Sequence, residues 1–182
     1  MTRSAHAEEI MDDPADDESK DNEKFLTFIL SGDRYGIPLL DTKEIIEYQD
    51  LTTVPMVPIY IAGVINLRGS VVPVVNLAER FQLPQSTITK KTSVVIVEIN
   101  DEDSCVDIGI MVDMVNEVID LKNDQIAPPP SFGTSIRADF IKNMGKSENS
   151  DSFLIILDAS KVLSLDELSA LEEIKHSHNV SQ

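Results

Sequence analysis

Two apolar runs, Gly63-Val64-Ile65-Asn66-Leu67 and Ser70-Val71-Val72-Pro73-Val74-Val75-Asn76-Leu77, are separated only by Arg68-Gly69. Such short, β-branched runs suit extended strands, and a glycine between them accepts the positive φ of a tight turn. The stretch therefore predicts a β-hairpin with Arg68 near its tip, Gly69 as the turn glycine and Asn66 as a structural turn residue. An arginine held there presents five fixed N–H donors to a partner. No adjoining residue supplies catalytic chemistry, so the segment suits docking.

The same strand-and-turn grammar recurs along the chain. Phe25-Leu26-Thr27-Phe28-Ile29-Leu30 and Tyr35-Gly36-Ile37-Pro38-Leu39 read as strands around a turn over Ser31-Gly32-Asp33-Arg34. A helical turn capped by Asp41 is expected over 41–44, followed by extended Ile45-Ile46-Glu47-Tyr48. Pro55 and Pro58 keep the 52–58 segment out of a central strand. Asn76 is placed to cap a short helix reaching Leu83, ahead of Pro84. Polar residues 85–91 are expected to join two halves. Beyond them come strands over 93–99 and 106–112, then a half-buried strand ending at Leu121. Pro128-Pro129-Pro130 predicts an extended linker, and the runs 140–144 and 153–157 a further hairpin. Ser164 and Glu167 form a capping box ahead of a C-terminal helix with apolar Leu165, Leu168, Leu171 and Ile174. Many short strands and few helices indicate an all-β fold, and two runs of similar strands suggest two small barrels side by side.

Composition narrows the function classes. The chain of 182 residues carries a formal net charge of −17. That disfavours nucleic acid and anionic membranes, both of which select basic faces. Residues 1–23 hold nine acids against two bases and almost no large apolar side chains, so they are expected to be a disordered acidic tail. The ordered body is expected over 24–175, with a second disordered tail at 176–182. No apolar leader marks the N-terminus and the apolar runs are strand-sized, so a cytoplasmic protein is expected. Cys105, the single cysteine, rules out an internal disulfide and reads as a partly buried small hydrophobe.

The catalytic chemistries fail one by one. His6 lies in the acidic tail, and His176 and His178 follow the last helix. No histidine is available inside the fold for a triad or a Cys-His pair, and soft ligands are too few for zinc. The seven glycines show no phosphate-cradling spacing. Carboxylate-only chemistry stays open, because the body holds many acids, but a solvated acidic surface accounts for them. From the residues alone, the chain reads as an acidic, all-β interaction module, with no catalytic, metal or cofactor residue singled out.

Taken in order, Tyr35-Gly36-Ile37-Pro38, Lys43-Glu44-Ile45-Ile46, Thr53-Val54-Pro55 and Pro58 precede Gly63-Val64-Ile65-Asn66-Leu67-Arg68-Gly69 and Val72-Pro73-Val74-Val75. Gly109-Ile110-Met111-Val112-Asp113, Val115, Glu117-Val118, Ile126, Pro128-Pro129-Pro130 and Leu157-Asp158 follow. This ordered set, over roughly residues 24–172, resembles the CheW family of chemotaxis coupling proteins. Thr42 departs from the apolar residue usual there, and Asn76 stands where an aspartate is common.

The resemblance implies two SH3-like five-stranded barrels packed together and no catalysis. It implies an adaptor between methyl-accepting chemoreceptors and a CheA-type histidine kinase, recruited to receptor arrays at the inner membrane. The receptor's helical tip would dock between the barrels. Arg68, Glu44 and Gly63 match motif positions near that groove, and Val94 falls on a strand expected to line it. Arg68 and Glu44 are expected to pair. The kinase regulatory domain would be gripped by another surface. No receiver-domain sequence follows Leu171, so the stand-alone form is expected. The alternatives are an adaptor of a pili or developmental pathway and, from another class, a carboxylate-based hydrolase or small-ligand binder.

Overall fold

The structure is a computed structural model and describes residues 22–85, 87–100, 102–129, 138–146, 152–163 and 167. Eleven strands among these residues form two sheets. The first runs β8 (Met114–Lys122), β1 (Asn22–Leu30), β2 (Asp33–Pro38), β11 (Phe153–Leu157), β10 (Ile141–Lys146), β9 (Ile126–Ala127). The second runs β3 (Thr42–Glu47), β6 (Ser93–Asn100), β7 (Cys105–Val112), β5 (Ser70–Asn76), β4 (Ile61–Leu67). The fold is all-β with two barrels. The first barrel counts six strands because the two-residue β9 pairs with β10. Its two edge strands, β8 and β9, are joined by the short 3-10 turn Asn123–Gln125.

The barrels are nested in sequence, which corrects the expected division. Segment 85–91 connects β5 and β6, both in the second barrel, and so joins no two halves. The chain instead leaves the first barrel after β2, builds the whole second barrel from β3 to β7, and returns at β8. The physical reason lies in the parallel pairs. β2 pairs with β11, Ile155 opposite Tyr35, and β5 pairs with β7, Val74 opposite Gly109. Each parallel pair needs a long crossover, which consecutive hairpins cannot supply.

Several local readings shift. β1 begins at Asn22, so Asn22 and Glu23 pair with Lys122 and Leu121 rather than belonging to the acidic tail. The first turn is two residues, Ser31 and Gly32, both at positive φ, and Asp33 and Arg34 already pair within β2. The helical turn expected over 41–44 lies upstream, as a 3-10 turn over Leu39–Asp41 with no side-chain cap. Thr42 and Glu44 are in β3 because this β-branched stretch pairs with Val97 and Ile96 of β6. The helix after β5 is one turn, Leu77–Arg80, with the Asn76 side chain accepting from Glu79 N–H. Gln82, at φ +57°, ends it before Leu83. Cys105 is exposed, not partly buried: it opens β7 beside the hairpin turn, where Sγ donates to Asn100 Oδ1 at 2.8 Å. The C-terminal helix lies outside the described residues except Glu167.

Strand alternation divides the core in three. On β6, Val94 and Ile96 point into the second barrel and join Ile65, Val72 and Val74. Phe25, Leu121, Leu154 and Ile156 fill the first barrel. Val95, Val97 and Ile99 point the other way, into the largest cluster, where Leu26, Phe28, Tyr35 and Ile37 of the first barrel meet Ile61, Val75, Ile108 and Ile110 of the second. Most buried apolar surface therefore lies at the seam between the barrels. This non-directional burial holds them together.

Candidate functional site

The β4–β5 hairpin closes through a two-residue turn, with Leu67 opposite Ser70. Arg68 at φ +53° and Gly69 at φ +88° give it the doubly left-handed backbone that matches strand twist. The Asn66 side chain accepts from Gly69 N–H at 2.9 Å, fixing the turn from within. Arg68 stands 76% exposed, and its Nη2 donates to Glu44 Oε1 at 2.9 Å. Glu44 sits on β3, its side chain only 27% exposed. β3 and β4 are the two edges of the five-stranded sheet, so the pair spans its opening. With so much of Arg68 in water, the pair contributes little stability, on the order of 0–1 kcal/mol. One nitrogen of the guanidinium is engaged by Glu44, and most of the side chain stays exposed.

Gly63 and Val94 occupy different surroundings. Residue 52 crosses β4 closely: Thr52 N–H donates to Val64 O at 3.0 Å and Val64 N–H to Thr52 O at 2.9 Å. A Cβ on Gly63 would lie 2.6 Å from Thr52 O and 2.9 Å from the Leu51 Cβ. Gly63 thus permits a backbone crossing that seats Leu51 on the barrel core. Val94 is fully buried inside the second barrel. It cannot line a groove with its own side chain, because alternation on β6 turns it inward; it shapes the wall from behind.

Beside Glu44, Lys43 projects to the opposite face of β3. Its Nζ donates to Asp107 Oδ2 at 2.9 Å and lies 3.7 Å from Glu98 Oε2. The hydrogen bond and charge of Asp107, aided by Glu98, raise the Lys43 pKa above its ordinary value. The result is a charge ladder across β3, β6 and β7.

Sequence reasoning missed three exposed apolar side chains, Leu40, Met56 and Ile59. They lie in the irregular segments that enter and leave β3. Met56 is 98% exposed at φ +61° in a segment bracketed by Pro55 and Pro58. The signal was available: apolar residues where prolines forbid a central strand have no sheet core to enter.

Among the described residues no three His, Cys, Asp or Glu side chains gather as a metal site. No helix among them is long and apolar enough to cross a membrane. A shallow dent near Asn76, Thr92 and Met111 holds one carboxylate, Asp113, whose Oδ2 accepts from Ser31 N–H at 2.8 Å. A single carboxylate already engaged in a turn does not make an acid–base pair.

The CheW-like domain profile matches residues 24–167. A chemotaxis protein CheW of Treponema pallidum is 34% identical over 153 residues, spanning 83% of this chain and 88% of that protein. A chemotaxis protein CheW of Bacillus subtilis is 38% identical over 146 residues, spanning 80% and 90%. The crystal structure of the scaffolding protein TtCheW from Thermoanaerobacter tengcongensis superposes with a TM-score of 0.71 at 31% identity, covering 80% of this chain and 94% of that one.

Proposed function

The chain belongs to the CheW-like domain family, whose members are scaffolding adaptors and not enzymes, and from that premise we propose that it couples methyl-accepting chemoreceptors to a CheA-type histidine kinase. The observation that carries the proposal is the exposed Arg68, held by Glu44 on a rigid hairpin tip. A guanidinium aimed in this way meets a partner's carboxylates or carbonyls without first losing side-chain freedom. The receptor tip is the partner assigned to it. Gly63 and Val94 act on this surface through packing, one by admitting the 51–52 crossing and the other by supporting the strand from inside.

The kinase regulatory domain takes a second surface. The exposed apolar Leu40, Met56 and Ile59 favour this reading, since apolar side chains held out by irregular backbone suit the core of a protein–protein contact. Two moderate interfaces on one body raise the effective concentration of each partner for the other. That places the protein at receptor arrays.

The test is reconstitution. Co-purification with a CheA-type kinase and a receptor signalling fragment is expected to yield a ternary complex with raised autophosphorylation. Arg68→Ala and Glu44→Ala should each weaken receptor pull-down by about tenfold, as expected when a charge-assisted contact is truncated. Wild-type pull-down by both variants would overturn the assignment of the site.

A further inference from the structure

A second arginine is built into the seam between the barrels. Arg80 ends the helical turn after β5 of the second barrel. Its Nε donates to Val162 O at 2.8 Å, and its Nη2 donates to Glu167 Oε2 at 3.1 Å. Both acceptors follow β11 of the first barrel. The guanidinium lies over the Tyr60 ring at 4.3 Å and the Phe140 ring at 5.3 Å. Tyr60 immediately precedes β4 of the second barrel, and Phe140 immediately precedes β10 of the first. Tyr60 Oη closes the cluster by donating to Glu167 Oε1 at 2.6 Å. Four residues, Tyr60, Phe140, Val162 and Glu167, thus converge on one cation, whose side chain is only 17% exposed.

We propose that Tyr60, Arg80 and Glu167 form a clasp that fixes the angle between the two barrels. The apolar seam supplies the attraction, but apolar contacts are non-directional, and packed elements slide over one another by small shear steps at little cost. Directional bonds at the rim remove that freedom. Arg80 suits the task because its planar fork makes two bonds at once while its charge lies over two aromatic rings. Each polar bond of the cluster joins a second-barrel residue to the segment beyond β11, which Asp158 N–H ties to Phe140 O of the first barrel at 3.0 Å, so a change of inter-barrel angle strains them. The consequence for signalling, that partners on different barrels are held in a defined geometry, rests on the adaptor reading. The clasp itself does not.

The experiment therefore uses neither receptor nor kinase. Cys105, the chain's single cysteine, is exposed on the second barrel, and Asp124 is exposed on the 3-10 turn of the first. Nitroxides on Cys105 and on Asp124→Cys report the inter-barrel distance by double electron–electron resonance in the full chain. The parent pair should give one narrow distribution. Arg80→Ala and Glu167→Gln should each broaden it about twofold or shift its maximum by a few ångström, the scale of shear between packed elements. Arg80→Lys, which keeps the charge and loses the fork, should fall between. Should Arg80→Ala fail to fold, Glu167→Gln and Tyr60→Phe decide, since they remove single polar contacts and almost no volume. An unchanged distribution in the folded variants overturns the clasp.

Discussion

Of the three arginine–glutamate pairs among the described residues, two of nearly equal length, 2.9 Å for Arg68–Glu44 and 3.1 Å for Arg80–Glu167, lie in contrasting places. Their surroundings separate them. Arg68 rises from a hairpin tip into water and has no aromatic ring against it among the described contacts. Arg80 is enclosed by two rings and a backbone carbonyl at the seam. The same chemistry thus serves opposite purposes. In water, the pair is energetically cheap to form and to break, so it can aim a side chain that a partner then takes. Enclosed, the pair holds charges already removed from water, and losing one partner strands the other. The exposed pair stands where binding is proposed and the enclosed pair where a fixed geometry is proposed.

The sharpest way to break the comparison is to disturb the scaffold under the weak pair. Gly63→Val would drive a branched side chain into Thr52 O and the Leu51 Cβ. It should destabilise the fold by about 3 kcal/mol, in the range of severe overpacking, seen as a lower melting temperature with the hairpin amides exchanging fastest. Double-mutant cycles compare the pairs directly. Arg80→Ala with Glu167→Ala should show a coupling of about 1–2 kcal/mol in urea unfolding, and Arg68→Ala with Glu44→Ala less than about 0.5 kcal/mol. Equal couplings would erase the distinction.

A smaller effect is spectroscopic. Burial, together with the hydrogen bond and charge of Glu167 and against the charge of Arg80, pushes the Tyr60 phenol up to about 12 from its ordinary value of 10.0. A raised acid stabilises the fold in its protonated form. The contribution is complete below pH 10 and is lost as pH rises toward 12. Tyrosinate absorbance should show a late-titrating component that Tyr60→Phe removes, and Glu167→Gln should bring that component back toward 10. Arg68→Ala should leave that titration untouched.

The hairpin tip was legible because its determinants are local. Arg68-Gly69 between β-rich runs selects a two-residue turn, and Asn66 lies three residues from the amide it binds. The Arg68–Glu44 pair was reached through the family resemblance, since nothing in the spacing of residues 24 apart brings them together. Val94 was placed on the strand expected to line the groove, but which way its side chain faces was not legible. In a continuous run such as Ser93–Ile99, alternate residues are equally apolar, and both faces of β6 are buried. The clasp left no trace at all. Residues 60, 80, 140, 162 and 167 share no period, and none of them reads in the sequence as a partner of another.

What the sequence determined by itself is the short-range content: all-β character, the turns that glycine and asparagine select, the cap on the helix after β5, and the absence of histidine from the fold. These depend on φ preferences and on side chains bonding to neighbours a few residues away, which tertiary context rarely overrides. Only the tertiary structure decided the nesting of one barrel inside the other, which apolar residues face the seam, and the company Arg80 keeps. Those depend on parallel pairings and charge contacts between residues that can be more than about a hundred positions apart, as Tyr35 and Ile155 are, and no local preference encodes which distant partner a strand or a cation will meet.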